Sequence, residues 1–142
     1  MEPALLGVVL DSSVPIATER RKLTPAQAVE SVRRNVGEVP IVLCALTIAE
    51  IGHGIYRANT DEMRSRRRAF LDELKATVPI HAVTEATAEI IARIGGEQAA
   101  QGNNLPLADL IIAATAVELG YAIATGNLRD FTRIPGPRVV QL

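Results

Sequence analysis

Leu5-Leu6-Gly7-Val8-Val9-Leu10-Asp11 is an apolar run closed by a carboxylate. A run this short, with no apolar–polar alternation, predicts a buried strand over 5–10. The same theme returns along the chain. Pro40 precedes a short apolar run at 41–44, residues 121–125 are a third, and Pro79-Ile80-His81-Ala82-Val83 is a weak fourth. Val139-Val140-Gln141-Leu142 follows the Pro135-Gly136-Pro137 turn as a marginal edge strand.

Between these runs the apolar spacing becomes helical. Thr24 as N-cap, Pro25 at the first position and Gly37 past the end bound a helix over 25–36. Further helices are predicted at about 47–58 and at 61–76, the latter with Asp61 and Glu62 in its first turn. Another spans 85–101 before Gly102, and one from Pro106 to about Leu119 stops at Gly120. Strands alternating with helices predict an α/β fold, a parallel sheet with helices on both faces. At 142 residues the chain fits a single domain spanning 1–142.

Composition narrows the function classes. Hydrophobic residues make up 48% and aromatics 3% with no Trp, so the core is aliphatic. Cys44 is the only cysteine, which excludes an internal disulfide and a cysteine-rich zinc site and suits a reducing cytoplasm. Among its apolar neighbours it reads as a small buried hydrophobe. Asp11 interrupts the first apolar run and no basic segment precedes it, so no signal peptide is expected. No apolar run approaches the roughly 20 residues of a membrane span. The net charge of −1 provides no global attraction to nucleic acid.

Four acids, each beside an apolar run, carry the chemical signal: Asp11, Glu50, Asp109 and Asp130. Carboxylates at the ends of core elements are costly unless compensated. If the four converge, they point to a hard divalent cation and to phosphodiester hydrolysis. Each also has a purely structural reading. Asp11 would cap a short helix. Glu50 completes the capping-box pattern Thr47-Ile48-Ala49-Glu50, in which its carboxylate folds back on the helix start. Asp109 would complement the dipole of its helix, although Leu110-Ile111-Ile112-Ala113-Ala114 is apolar almost all round and places that helix end inside the protein. Asp130 would serve a turn, and Asn127 would offer a neutral oxygen to the same place. Open parallel sheets place their sites beyond the strand carboxyl ends, where Asp11 and the segment 125–130 both fall.

The arginines are uneven. Arg57, Arg64, Arg66, Arg67 and Arg68 cluster, and Arg33-Arg34 forms a second group. They read as a phosphate-binding rim or as an ordinary mixed-charge helix face, since Asp61, Glu62, Asp72 and Glu73 intersperse them. His53 and His81 lack zinc-ligand spacing and receive no role. No Ser-His-Asp signature, Walker loop or dinucleotide glycine pattern is present.

At these residues the chain resembles the PIN-domain family and, within it, the VapC-type toxins of VapBC toxin–antitoxin pairs. Three segments carry the resemblance. Val8-Val9-Leu10-Asp11-Ser12-Ser13-Val14-Pro15-Ile16 is similar to the family's apolar strand followed by Asp-Thr/Ser-Asn/Ser. Leu46-Thr47-Ile48-Ala49-Glu50-Ile51-Gly52-His53-Gly54-Ile55 is similar to its Thr-x-x-Glu-Leu-x-x-Gly segment. The most specific is Leu105-Pro106-Leu107-Ala108-Asp109-Leu110-Ile111-Ile112-Ala113-Ala114-Thr115-Ala116, followed by Ala124-Thr125-Gly126-Asn127-Leu128-Arg129-Asp130-Phe131.

The resemblance implies a three-layer α/β/α sandwich with a parallel sheet of four to five strands. It implies a magnesium- or manganese-dependent ribonuclease acting on single-stranded or loop RNA, of tRNA or rRNA class, dimeric and cytoplasmic, with a VapB-type antitoxin as partner. Asp11, Glu50 and Asp109 become the acidic triad, with the fourth place shared by Asn127 and Asp130. Asp11 and Asp109 would ligate directly, and Glu50 and Asp130 through water or a second metal. Ser13, Thr125 and Asn127 would support the site, and Arg57, Arg64, Arg67 and Arg68 would bind RNA. Ser13 stands where Asn is commoner, and Gly126 where a basic residue is frequent. Two other functions compete. One is a non-catalytic PIN-like module binding RNA or protein. The other is a hydrolase with Asp11 as phosphoryl-accepting nucleophile, which expects a second Asp where Ser13 stands.

Overall fold

The computed structural model describes residues 3–142. Five strands form one parallel sheet: β1 (Val8–Leu10), β2 (Ile41–Cys44), β3 (Ile80–His81), β4 (Ala122–Thr125) and β5 (Val139–Gln141). Seven helices connect them: α1 (Ser13–Arg20), α2 (Pro25–Val36), α3 (Ala45–Tyr56), α4 (Asp61–Thr77), α5 (Glu85–Ala100), α6 (Leu107–Leu119) and α7 (Leu128–Thr132). The strand order is β3-β2-β1-β4-β5. Val8 pairs with Ile41 on one side and with Ala122 on the other, so β1 is central.

Side-chain alternation along β1 builds two cores. Val8 and Leu10 join Val32, Ile55, Phe70 and Leu74 from α2, α3 and α4. Val9 faces the opposite layer with Ile94, Ile112, Ile123 and Phe131. Successive strand residues point to opposite faces, so a strand with no polar position must be covered twice. That is the physical basis of the α/β/α sandwich expected from the apolar runs. Each fully buried Leu, Ile or Phe contributes roughly 1.5–3 kcal/mol, and Val9, Leu43 and Ile123 are completely enclosed. Cys44 is also fully buried, with the Thr115 hydroxyl 3.5 Å from its sulfur.

The helix at 25–36 keeps its expected bounds, with a reciprocal capping box between Thr24 and Gln27. Gly120 ends α6 at φ +70°, a left-handed conformation that favours glycine. Gly95 lets α5 approach α6: a Cβ there would stand 3.0 Å from Leu110 Cδ1.

Three expectations need correction. The first strand begins at Val8, not at position 5, and Leu6 is 70% exposed. The third helix begins at Ala45, directly after β2, with Cys44 at the N-cap position and no side-chain cap. Helix α7 occupies a stretch read as loop, because five residues are too few to show periodicity. Helix α1 does follow Asp11, although its N-cap position belongs to Ser12. Pro15 is tolerated there because first-turn amides lack helical partners.

A candidate acidic site at the switch point of the sheet

Connections leave β1 toward β2 on one side, while β4 pairs on the other, so the sheet has its switch point between β1 and β4. Ligand clefts of open parallel sheets form at such points. Asp11 leaves β1 here, and its amide donates to the Ala124 carbonyl at 3.0 Å. Its side chain caps no backbone amide among the described residues. Instead Oδ2 accepts from Ser13 Oγ at 2.6 Å and from Thr125 Oγ1 at 2.9 Å. Thr125 is oriented for this, since its Oγ1 accepts the Asn127 amide at 2.9 Å. Asp11 is 8% exposed, so these charge-assisted bonds are what make its burial tolerable.

Glu50 projects from α3 one turn after Thr47. Because the helix starts at Ala45, Thr47 lies inside it and the expected capping box does not form. The Glu50 carboxylate is bound elsewhere: Ser12 Oγ donates to Oε1 at 2.6 Å. Ser12 Oγ also lies 2.8 Å from Thr47 Oγ1.

Asp109 lies in the first turn of α6, a helix buried along most of its length. Its side chain is 20% exposed. Burial pushes its carboxyl above the usual aspartate range, and the charges of Asp130, Asp11 and Glu50 push it the same way. Arg133 opposes them, with Nη2 3.8 Å from Oδ2. This coupling brings acids from four separate segments into one electrostatic neighbourhood.

Asp130 sits in α7. Asn127 Nδ2 donates to Asp130 Oδ2 at 2.7 Å, and the Asp130 amide lies 3.3 Å from the Asn127 carbonyl oxygen. The two candidates for the fourth place are therefore one hydrogen-bonded unit.

A pattern links the site. Protein groups hold Asp11 Oδ2, Glu50 Oε1 and Asp130 Oδ2, while the second oxygen of each has no hydrogen-bond partner among the described residues. As placed, no three His, Cys, Asp or Glu side chains among the described residues stand close enough to hold a metal ion. The donors are nonetheless all carboxylate oxygens, and the charges of three of them raise the carboxyl of Asp109, which suits a hard divalent cation.

Beside Glu50 opens a cavity of about 270 Å³, lined in part by Glu19, Arg20, His53, Arg57 and Arg67. Of the four arginines expected to bind RNA, the structure brings Arg57 and Arg67 to this cavity. Arg67 donates to the Gly54 carbonyl at 2.7 Å. Arg64 and Arg68 pair instead with Asp61 and Asp72 on their own helix. Sequence reasoning missed Arg20, Ser12 and Arg133 and gave His53 no role. Arg20 ends α1 and Arg133 directly follows α7, short elements whose bounds no periodicity marks, and Ser12 passed as part of the Asp11 motif. Glu19 Oε1 is buried without a hydrogen bond, with Arg66 Nε at 3.5 Å.

The family model described as "PIN domain" matches residues 8–137. Ribonuclease VapC1 of Rickettsia felis is 32% identical over 135 residues, 95% of this chain and 96% of that protein. The tRNA(fMet)-specific endonuclease VapC of Shigella flexneri is 30% identical, covering 94% and 96%. Among solved structures, the DNA-bound VapBC of Salmonella typhimurium superimposes with a TM-score of 0.80 at 23% identity, covering 96% of this chain and 98% of that one. VapBC2 of R. felis bound to promoter DNA superimposes with a TM-score of 0.81 at 16% identity and the same coverage. With the sheet order and these matches in agreement, the chain belongs to the PIN-domain family, among its VapC-type members.

Proposed function

We propose that this chain is a divalent-metal-dependent endoribonuclease, the toxin of a toxin–antitoxin pair, with Asp11, Glu50, Asp109 and Asp130 as its acidic centre. The carrying observation is geometric: at the carboxyl ends of β1 and β4 Asp11 is held by Ser13 and Thr125, and Ser12 beside it holds Glu50, while Asp109 feels the charges of the other three acids. A cleft with this charge is unfavourable by itself and calls for a cation. Relatives named as ribonucleases and a tRNA-specific endonuclease support the activity, and the VapBC complexes support an antitoxin partner.

Magnesium or manganese suits an oxygen-only donor set. Asp11 and Asp109 would hold it directly, with Glu50 and Asp130 completing the outer part of the site. Bound there, the cation supplies Lewis-acid charge to a scissile phosphodiester and acidifies water. Ser13 and Thr125 hold Asp11 Oδ2 and leave Oδ1 for ligation. Asn127 does the same for Asp130. Glu50 Oε2 is the oxygen free to orient the attacking water. Arg20 and Arg57, with no side-chain partners among the described residues, receive flanking phosphates of a single-stranded or loop segment, whose splayed bases expose the backbone. The protein works as a dimer in the cytoplasm, on RNA of tRNA or rRNA class, until a VapB-type partner covers the cleft.

The test is cleavage of a total tRNA and rRNA preparation by purified protein with Mg²⁺ or Mn²⁺, with chelator, and with Asp109→Asn. Cleavage confined to the metal-loaded wild type is expected. Cutting by Asp109→Asn at the wild-type rate would overturn the assignment. RNA retained but uncut with either metal would make the chain a binding module.

A further inference from the structure

Ser12 follows Asp11 in sequence, but among the described residues its side chain makes no hydrogen bond to it. Its hydroxyl bridges two residues of α3: Thr47, 35 positions on, and Glu50, 38 positions on. The direction of this chain follows from proton counting. A carboxylate only accepts, so Ser12 spends its one proton on Glu50 Oε1. The bond between Ser12 and Thr47 must then take its proton from Thr47. The order is Thr47 Oγ1–H to Ser12 Oγ, then Ser12 Oγ–H to Glu50 Oε1.

Burial keeps the relay intact. Thr47 is fully buried and Ser12 is 4% exposed, so bulk water does not compete for either hydroxyl. Consecutive hydrogen bonds of this kind polarise one another. Thr47 and Glu50 are three residues apart on one helix and share a face, so a single hydroxyl from the β1–α1 loop reaches both. No other hydrogen bond to the Glu50 side chain occurs among the described residues, which leaves Oε2 free and the rest of a flexible side chain pinned at Oε1.

We propose that Ser12 and Thr47 are positioning residues for Glu50, a directed hydroxyl pair that aims its free oxygen at the metal and substrate. This rests on the acidic-site reading above. Outer hydrogen bonds to metal-site side chains are worth about 10–100-fold in metal affinity or activity, because a ligand held in place loses no rotamer freedom on binding.

Thr47 offers the discriminating experiment. Thr47→Val keeps the shape and removes the hydroxyl, whereas Thr47→Ser keeps the hydroxyl and leaves a methyl-sized gap. A purely structural role ranks valine at or above serine; positioning ranks serine above valine. Three measurements are made on Thr47→Val, Thr47→Ser, Ser12→Ala and Asp109→Asn: Mn²⁺ affinity by calorimetry on metal-free protein, kcat and KM on RNA, and Tm.

Thr47→Val and Ser12→Ala are expected to lose about tenfold or more in Mn²⁺ affinity or kcat with KM for RNA unchanged. Thr47→Ser is expected to stay within about threefold of wild type despite a lower Tm, as a lost buried methyl predicts. Wild-type affinity and kcat in Thr47→Val and Ser12→Ala would overturn the proposal. So would losses in valine and serine variants that simply follow Tm. An inactive Asp109→Asn beside a wild-type Thr47→Val removes only the positioning pair, whereas an active Asp109→Asn removes the acidic site itself.

Discussion

Asn127 holds Asp130: the amide nitrogen of one donates to the carboxylate of the other at 2.7 Å across a single helical turn. The neutral and charged candidates for the fourth acidic position are thus complementary. Asn127→Ala is expected to lower cleavage about tenfold through a mobile Asp130, in the range typical of outer hydrogen bonds. Asp130→Asn is expected to lower it further, because it removes the charge itself. Single-turnover cleavage at fixed Mn²⁺ measures both, and equal rates for the two variants would show that Asp130 needs no anchor.

Asp109→Asn carries opposite expectations for activity and stability. In metal-free protein Asp109 is held against Asp130, Asp11 and Glu50. Its neutral amide relieves that repulsion, so Tm in chelator is expected to rise. The gain is small, about 1–3 °C, since the group retains solvent contact that screens its charge. Thermal unfolding with and without Mn²⁺ checks this: the wild type gains Tm on adding metal, and the variant gains little.

The raised Asp109 carboxyl also sets a pH dependence. Its folded-state pKa lies above the unfolded value, so the native state binds more protons in the window between them. Its stability contribution is complete below the unfolded pKa, near the ordinary 3.8, and is lost as pH rises through the higher folded value. Chelator-treated protein therefore loses this contribution on going from acid toward neutral pH. Metal binding runs the other way, because protons compete for the same oxygen. Mn²⁺ affinity is expected to fall on acidification at a higher pH than for an ordinary aspartate site, and Asp109→Asn is expected to lose that limb. Calorimetry across pH reads both.

Glu118 supplies a control remote from the site. Thr87 Oγ1 donates to it at 2.6 Å and His81 Nε2 lies at 3.2 Å, and these partners hold its carboxyl below the usual glutamate range, the Thr87 bond foremost. A lowered pKa stabilises the fold above the unfolded value and loses that contribution as pH falls through the folded one. Thr87→Val is expected to cost about 1 kcal/mol at neutral pH, less in acid, and to leave kcat untouched. Urea unfolding at two pH values, beside a cleavage assay, tests it.

The arginines separate by what they already touch. Arg57→Gln is expected to raise KM for RNA and to reduce the salt slope of binding by about one, as for the loss of one phosphate contact. Arg64→Gln is expected to do neither, because Arg64 already pairs with Asp61 at 2.9 Å. Binding titrations at several salt concentrations decide between them.

Much of this is legible in the residues alone. The apolar runs ending at Leu10, Cys44 and Thr125 announced a sheet buried on both faces, since a strand with no polar side must be covered twice. Thr24, Pro25 and Gly37 bounded their helix because caps act through local backbone amides. The acids were legible as costly carboxylates beside core elements, and their order matched a family. The capping box at Thr47-Glu50 misled, because its pattern marks a helix start and here the helix begins two residues earlier, against the end of β2.

The sequence by itself determined the architecture, because periodicity and caps are set by residues near one another in the chain, and it nominated the four acids through their order in segments that resemble a family. Tertiary structure alone decided what each acid touches. Ser12 reaches Glu50 across 38 positions and Thr125 reaches Asp11 across 114. Those bonds exist because parallel pairing sets β1 beside both β2 and β4. No local pattern encodes which hydroxyl will meet which carboxylate there. That follows from the register of the strands and the docking of α3 and α6 against them.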